Sequence, residues 1–215
     1  MFDYNIIATG SAGNAVLALR GRILIDCGVA YKHLVEYVDK IQLVLLTHEH
    51  GDHFNVQTVR RLAEMRPLLR FACSSDILPA LLAIGVRRAN IDLVAPEHTY
   101  GYGAFVIEPV QLWHDVPNIG WKIIAPEGKL FYATDTATLD GVSAPGFDVY
   151  LIEANHEERE IAQRIHDKQK NEAFAYERRA ATWHLSREKA WNWLQKNAGK
   201  NSKIELIHEH RERGI

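Results

Sequence analysis

The chain has 215 residues, with 25 Lys plus Arg against 27 Asp plus Glu, and this formal charge of −2 leaves no global field for gripping a polyanion. With 47% hydrophobic and 24% charged residues it has the composition of an ordinary globular protein, which excludes disordered, collagen-like and coiled-coil readings. Its longest apolar runs, such as Leu81-Leu82-Ala83-Ile84, fall far short of the ~20 residues of a membrane helix, and Met1-Phe2-Asp3-Tyr4 opens no export signal, so no membrane span and a cytoplasmic location are expected. Cys27 and Cys73 are too few for a disulfide framework and form no C-x-x-C pair, which predicts reduced thiols in the core.

In chain order, short apolar runs between tight turns predict a strand meander over 4–8, 15–19 and 22–26, broken by Gly10-Ser11-Ala12-Gly13-Asn14 and Arg20-Gly21. A short helical stretch at 33–38 leads into Gln42-Leu43-Val44-Leu45-Leu46-Thr47, an apolar run of the length of a buried strand. After a polar loop, Asn55 is placed to cap a helix carrying Val56, Val59, Leu62 and Ala63, which ends before Pro67. A strand near Phe71, a helix over 75–84 and strands near Leu93, Phe105 and Leu112 follow. Three more strands are expected at 120–124, 129–133 and 148–152, the first two joined by the turn Pro126-Glu127-Gly128. The stretch 157–179 holds six acidic and six basic residues and reads as a solvated helical face. A last helix over 186–197, capped by Ser186, precedes a closing strand at 204–207. With no repeat, linker or low-complexity segment, one domain over 1–215 of β-rich layers covered by helices is the simplest architecture.

The decisive signal is Thr47-His48-Glu49-His50-Gly51-Asp52-His53, three histidines and an aspartate at the end of the predicted buried strand. Imidazole and carboxylate suit a borderline divalent ion such as zinc, and four ligands from so short a loop are better divided between two ions than crowded on one. Further donors stand just beyond other apolar strands: His114, Asp135, and His208 or, two residues on, His210. Neighbouring strand ends lie on one sheet edge, which is how residues distant in sequence build one rigid site.

These motifs give the chain a resemblance. It is similar to the metallo-β-lactamase fold superfamily over essentially its whole length. Within that superfamily it resembles the WalJ/YycJ-like phosphodiesterase branch, through Gly10–Asn14, Leu24-Ile25-Asp26-Cys27-Gly28, Thr47–His53, His114-Asp115, Ala133-Thr134-Asp135-Thr136, Glu153-Ala154-Asn155-His156 and His184-Leu185-Ser186. The resemblance implies an α/β fold (α+β by some schemes), a four-layer αββα sandwich with the metal site at one edge of its two sheets. It implies that His48, His50 and His114 hold one ion, that Asp52, His53 and His208 hold the other, and that Asp135 bridges them. Asp26 then stands behind the cluster as the carboxylate that fixes a ligating imidazole.

Two divalent ions, Zn2+ by preference or Mn2+, would serve phosphodiester hydrolysis through a metal-bridging hydroxide. Asp52 and His184 are the candidate catalytic residues. His184 would be the general acid or phosphate clamp, with Ser186, Arg187 and His156 as substrate-binding candidates. Residues 170–215 hold 10 basic and 6 acidic residues, a balance of +4, so Arg178, Arg179, Arg187 and Lys189 are placed to meet phosphate at the mouth of the site. The branch has Gly before the His-Leu-Ser triplet and Asn after it, where this chain has Trp183 and Arg187, and Trp183 and Trp121 are candidates for stacking on a base. The expected activity is a phosphodiesterase or nuclease acting on single-stranded DNA or RNA. The alternatives are a small cyclic-nucleotide phosphodiesterase and, from another class, a metal-stabilised binding protein without catalysis. A homodimer is compatible with the sequence, which does not fix the oligomeric state.

Overall fold

The computed structural model describes residues 2–168 and 175–209. The meander forms because its apolar runs are too short for helices and are cut by glycine turns, giving β1 (Tyr4–Ala8), β2 (Ala15–Ala18) and β3 (Ile23–Ile25) in antiparallel register. β4 (Leu43–Leu45), β5 (Arg70–Cys73) and β6 (Ile91–Leu93) add in parallel to make a six-stranded sheet in the order β1-β2-β3-β4-β5-β6. A second six-stranded sheet has the order β12-β11-β10-β9-β8-β7. It is built from β7 (Tyr100–Gly101), β8 (Val106–Leu112), β9 (Asn118–Ala125), β10 (Gly128–Ala133), β11 (Val149–Glu153) and β12 (Lys203–Ile207).

The side-chain period of two divides each strand between two cores. In β3, Ile23 and Ile25 point between the sheets with Ile107, Trp121, Tyr132 and Leu151, while Leu24 joins Val44, Leu46 and Phe71 on the outer face. That outer face is covered by Val59 and Leu62 of α1 (Val56–Met65) and Leu81 of α2 (Leu78–Ala83). The outer face of the second sheet, with Phe131, Tyr150 and Ile152, is covered by Ala190, Trp193 and Leu194 of α5 (Arg187–Asn197). Phe131 and Trp193 stack with ring centroids 5.0 Å apart. The result is a four-layer αββα sandwich. Cys27 and Cys73 are buried, unpaired thiols in the α1 layer.

Both predicted caps form: Asn55 accepts from the Thr58 amide and Ser186 from the Lys189 amide. The expected helix at 33–38 is a 3₁₀ turn, Tyr31–His33, followed by further turns. The strands expected separately near Phe105 and Leu112 are one strand, β8, which runs through Pro109. β7 pairs only with Val106 and Ile107, so at Pro109 that side of β8 is an open edge and the missing N–H breaks no ladder. The charged stretch becomes α3 (Glu158–Lys168) and α4 (Ala175–Trp183).

The loop after β4 is laced to its neighbours through backbone bonds: Cys27 N to His53 O at 2.8 Å, Asn14 N to Asp52 O at 2.7 Å, and Gly28 N to Asn14 O at 2.8 Å. Gly28 permits this approach, because a Cβ there would lie 1.7 Å from the Asp52 carbonyl oxygen and 2.8 Å from the His53 nitrogen. Gly28→Ala is therefore expected to destabilise the fold by about 1–3 kcal/mol or more through overpacking. The check is the midpoint of chemical denaturation, and an unchanged midpoint would show that the loop yields freely.

Candidate metal centre

β8, β10, β11 and β12 share one direction, and β3 runs parallel to β4, so the residues just beyond these six strand ends collect where the two sheets open. Asp26 follows β3, Thr47 and His48 follow β4, and His114 follows β8. Asp135 follows β10, Glu153 ends β11 and His208 follows β12. Asp26, Asp135 and His208 are held at φ of 57°, 53° and 55°. Left-handed conformations at non-glycine residues cost free energy, and three of them at converging strand ends mark a place where donor direction outweighs backbone comfort.

Among the described residues the donors fall into three groups: His48, His50 and His114; Asp52, His53, Asp135 and His208; and Asp135, Glu153, His184 and His208. All of the ligands expected from sequence lie in the first two, with Asp135 between them: its Oδ2 is 3.3 Å from His48 Nε2 and 2.7 Å from His53 Nε2. In the first group His50 Nδ1 stands 3.1 Å from His48 Nε2 and 3.3 Å from His114 Nε2. Nitrogens bound ~2.0–2.1 Å from a tetrahedral zinc ion are spaced at about 3.3 Å. The Trp183 carbonyl, 3.1 Å from His114 Nδ1, accepts that N–H and so leaves Nε2 with its lone pair toward the group.

The second group is anchored by Asp26. This fully buried carboxylate accepts from the Thr47 amide and hydroxyl, both at 2.9 Å, from His53 Nδ1 at 2.7 Å and from the Tyr132 hydroxyl at 3.2 Å. His53 Nε2 is thereby aimed at Asp135. His208 Nδ1 lies 3.2 Å from both Asp135 Oδ1 and Glu153 Oε1, yet both its ring nitrogens and Asp135 Oδ1 are buried without an aligned hydrogen bond. Such atoms point at a common place rather than at one another, which suits a donor set built for a divalent ion.

Burial opposes charge on His53, but Asp135 and Asp26 outweigh it and hold the pKa well above the ordinary imidazole value. Burial likewise opposes charge on His208, and Asp135, Asp52 and Glu153 lift its pKa to about 9. For His184, burial is overcome by Glu153 and Asp135, and the pKa rises to about 10. Burial, with His53 adding repulsion, pushes His48 well down, and burial lowers His114. The buried carboxyl of Asp135 would rise by desolvation alone, but His53 and His208 hold it well below the usual range.

His184 sits in the cleft at the N-terminal side of α5, with Nδ1 2.6 Å from Glu153 Oε1. The other oxygen of Glu153 accepts from the Thr136 and Leu185 amides at 2.9 and 3.1 Å. Glu153 received no role from sequence, although its position at a strand end is the same signal that located His114, Asp135 and His208. Asn14, whose Nδ2 is 2.8 Å from His53 Nε2, and Asp115, whose Oδ1 is 3.1 Å from His114 Nε2, were also unassigned.

The remaining candidates are dispersed. Ser186 is buried and committed, capping α5 and donating to Glu158 Oε1 at 2.9 Å, so it does not reach the cleft. His156 lines a separate cavity of about 50 Å³ with Glu160, Ile161 and Arg164. Arg187 reaches the rim only through Glu209, at 2.9 Å. Trp121 is fully buried between the sheets and has no face for a base. His210 lies outside the described residues.

Ligating imidazole must be neutral, so an ion entering the second group has to expel the protons of His53 and His208. Titration calorimetry at pH 7 in buffers of different ionisation enthalpy should detect release of about two protons with that ion. The apparent affinity should climb with pH throughout the range below the His208 value of about 9, because binding releases protons there. Binding without proton release would refute this protonation scheme.

Residues 21–208 match the family model described as the beta-lactamase superfamily domain. The exodeoxyribonuclease WalJ of Streptococcus pneumoniae is 25% identical over 170 residues, covering 73% of this chain and 63% of that protein, so the chain spans less than two thirds of that relative's length. The fold is shared with the metallo-beta-lactamase fold protein YhfI from Bacillus subtilis, with a TM-score of 0.75, 17% identity and 97% and 86% of the two chains covered. It is also shared with the short form of human tRNase Z, with a TM-score of 0.69, 15% identity and 98% and 93% covered. Two mixed sheets with flanking helices, histidine and carboxylate groups at their shared edge, and a family match over most of its length make this chain a member of the beta-lactamase superfamily.

Proposed function

We propose that the chain is a dinuclear metal-dependent hydrolase of phosphodiesters, with the end of a single-stranded nucleic acid as its substrate. The observation that carries this reading is the pair of donor groups with Asp135 between them, its Oδ2 3.3 Å from His48 Nε2 and 2.7 Å from His53 Nε2, at the floor of a cleft of about 270 Å³ with His184 on its wall. His48, His50 and His114 would hold one ion, Asp52, His53 and His208 the other, and Asp135 both; mixed imidazole and carboxylate donors suit zinc first and manganese second. When bound, such ions activate water as the nucleophile and stabilise charge on a phosphoryl oxygen.

The chain's own residues supply the rest. Asp26 and the Trp183 carbonyl each take one ring N–H, of His53 and His114, and leave the opposite nitrogen for ligation. Glu153 accepts a hydrogen bond from Nδ1–H of His184 and favours the doubly protonated ring, which leaves Nε2–H as the available acid. As the P–O ester bond breaks, His184 gives that Nε2 proton to the departing alkoxide oxygen. The resemblance to an exodeoxyribonuclease supports the nucleic-acid reading. The modest cleft volume supports a second reading, a cyclic mononucleotide.

The test is metal content together with turnover of bis(p-nitrophenyl) phosphate. About two ions per chain are expected, with activity abolished in Asp52→Ala and His50→Ala. His184→Ala and Glu153→Gln should keep the ions and lose roughly 10²–10⁴-fold in kcat. Full metal content with no turnover of any phosphodiester would instead make the chain a metal-stabilised binding protein. A panel of 5′-phosphorylated single-stranded DNA, RNA and cyclic mononucleotides separates the substrates, and an approximately tenfold preference for cyclic mononucleotides would overturn the first choice.

A further inference from the structure

Among the described residues, Arg179 is the one lysine or arginine that lines the metal cleft. Beside the imidazoles of the donor groups and His184, the cleft is lined by the carboxylates Asp52, Asp135 and Glu209, which discourage an anion. The remaining basic residues of this part of the chain are engaged or turned elsewhere: Arg187 pairs with Glu209 at 2.9 Å, and Lys189 faces a separate hollow with Asn192 and Lys196.

α4 places Arg179 with two ties. The guanidinium pairs with Asp115, and four residues later the Trp183 carbonyl accepts from His114 Nδ1 at 3.1 Å. α4 therefore holds the dipeptide His114-Asp115 at two points, through the Arg179 side chain and the Trp183 carbonyl at its C-terminal end. Asp115 Oδ1 in turn lies 3.1 Å from His114 Nε2 and 3.5 Å from His50 Nε2. The guanidinium therefore stands one carboxylate's width beyond the first donor group. The contacts from His114 to Asp115 to Arg179 set the guanidinium beside the donors with a carboxylate between, the position of a group that neighbours the one seated there. Arg179 is 56% exposed, and Asp115 occupies one of its nitrogens, leaving other donors of the planar fork for a phosphate.

We propose that Arg179 anchors a second phosphate, so that the cleft selects substrates carrying one phosphate beside the scissile one. A 5′-phosphorylated strand end has that second group, and a cyclic mononucleotide does not. The inference rests on the phosphodiester reading above and narrows its substrate class.

The test compares wild type, Arg179→Ala and Arg179→Lys as metal-loaded full-length chains, with metal content measured for each. The substrates are a thymidine dinucleotide with a 5′-phosphate, the same dinucleotide without it, and bis(p-nitrophenyl) phosphate. Arg179→Ala should raise KM for the 5′-phosphorylated dinucleotide by about tenfold or more, through loss of a charge-assisted hydrogen bond. That rise should exceed its effect on either other substrate by the same factor, with kcat little altered, and Arg179→Lys should recover part of it. Equal losses on all three substrates, or no rise in KM, would overturn the proposal. Equilibrium binding of the 5′-phosphorylated dinucleotide is measured in parallel, and should weaken about tenfold in Arg179→Ala. If wild type turns over no phosphodiester, the reading of function fails, and this binding comparison alone decides the anchor: equal binding by wild type and Arg179→Ala refutes it.

Discussion

The site depends on one buried carboxylate. Asp26 is inaccessible to solvent, and an unpaired charge at such depth would be prohibitive. Its partners come from both sheets: the Thr47 amide and hydroxyl and the His53 ring from the loop beyond β4, and the Tyr132 hydroxyl from β10 of the opposite sheet. Satisfying Asp26 thus fixes the orientation of His53, the course of the loop that carries His48, His50 and Asp52, and the distance between the sheets where they open. The loop cannot shift without stripping a buried charge of its donors, which is why a string of polar residues holds one shape.

Around that anchor the centre balances its charge with protons. Asp26, Asp52, Asp135 and Glu153 are carboxylates in or beside the groups, and His53, His208 and His184 are the imidazoles whose pKa values they raise. His48 and His114 shift the other way and are ready as neutral donors. His48 and His114 are therefore preset for an ion, whereas His53 and His208 must exchange protons for one. His184 differs from His53 and His208 in what holds it. Its Nδ1 is held by Glu153, whose other oxygen is tied to the backbone of residues 136 and 185, which is what the proposed role as proton donor requires.

Much of this was legible in the sequence because strand ends are easy to read. A buried apolar run followed by His or Asp says where a donor stands, and His114, Asp135 and His208 were found that way. Glu153 obeys the same rule and went unassigned, because a single glutamate after an apolar run lacks the distinctiveness of histidine. Ser186 misled for the opposite reason: the residue that caps a helix spends its hydroxyl on the backbone, and here Glu158 takes the rest. The strands expected separately near Phe105 and Leu112 are one, and the sequence does not reveal that β7 ends before Pro109 and leaves it on an open edge. The approach of Gly28 to Asp52 is likewise a matter of three-dimensional crossing, to which composition is blind.

Charge is where local structure most alters the sequence argument. The balance of +4 over residues 170–215 suggests an electropositive mouth, but a field needs charges that are free to act. Arg187 is drawn to Glu209 and Glu157, Lys203 to Glu205, and Arg179 to Asp115. Pairing shrinks the long-range attraction, and salt screens what is left at exposed sites. Arg179 remains, its partner bound beside the histidines, so that its guanidinium is carried to the cleft wall at a set distance from the donors. A cation placed in this way adds little to the rate of encounter and much to discrimination, because it interacts strongly only with an anion of the right length. In a chain of near-zero net charge, the proposed selection among phosphates would then depend on the spacing between Arg179 and the donor groups.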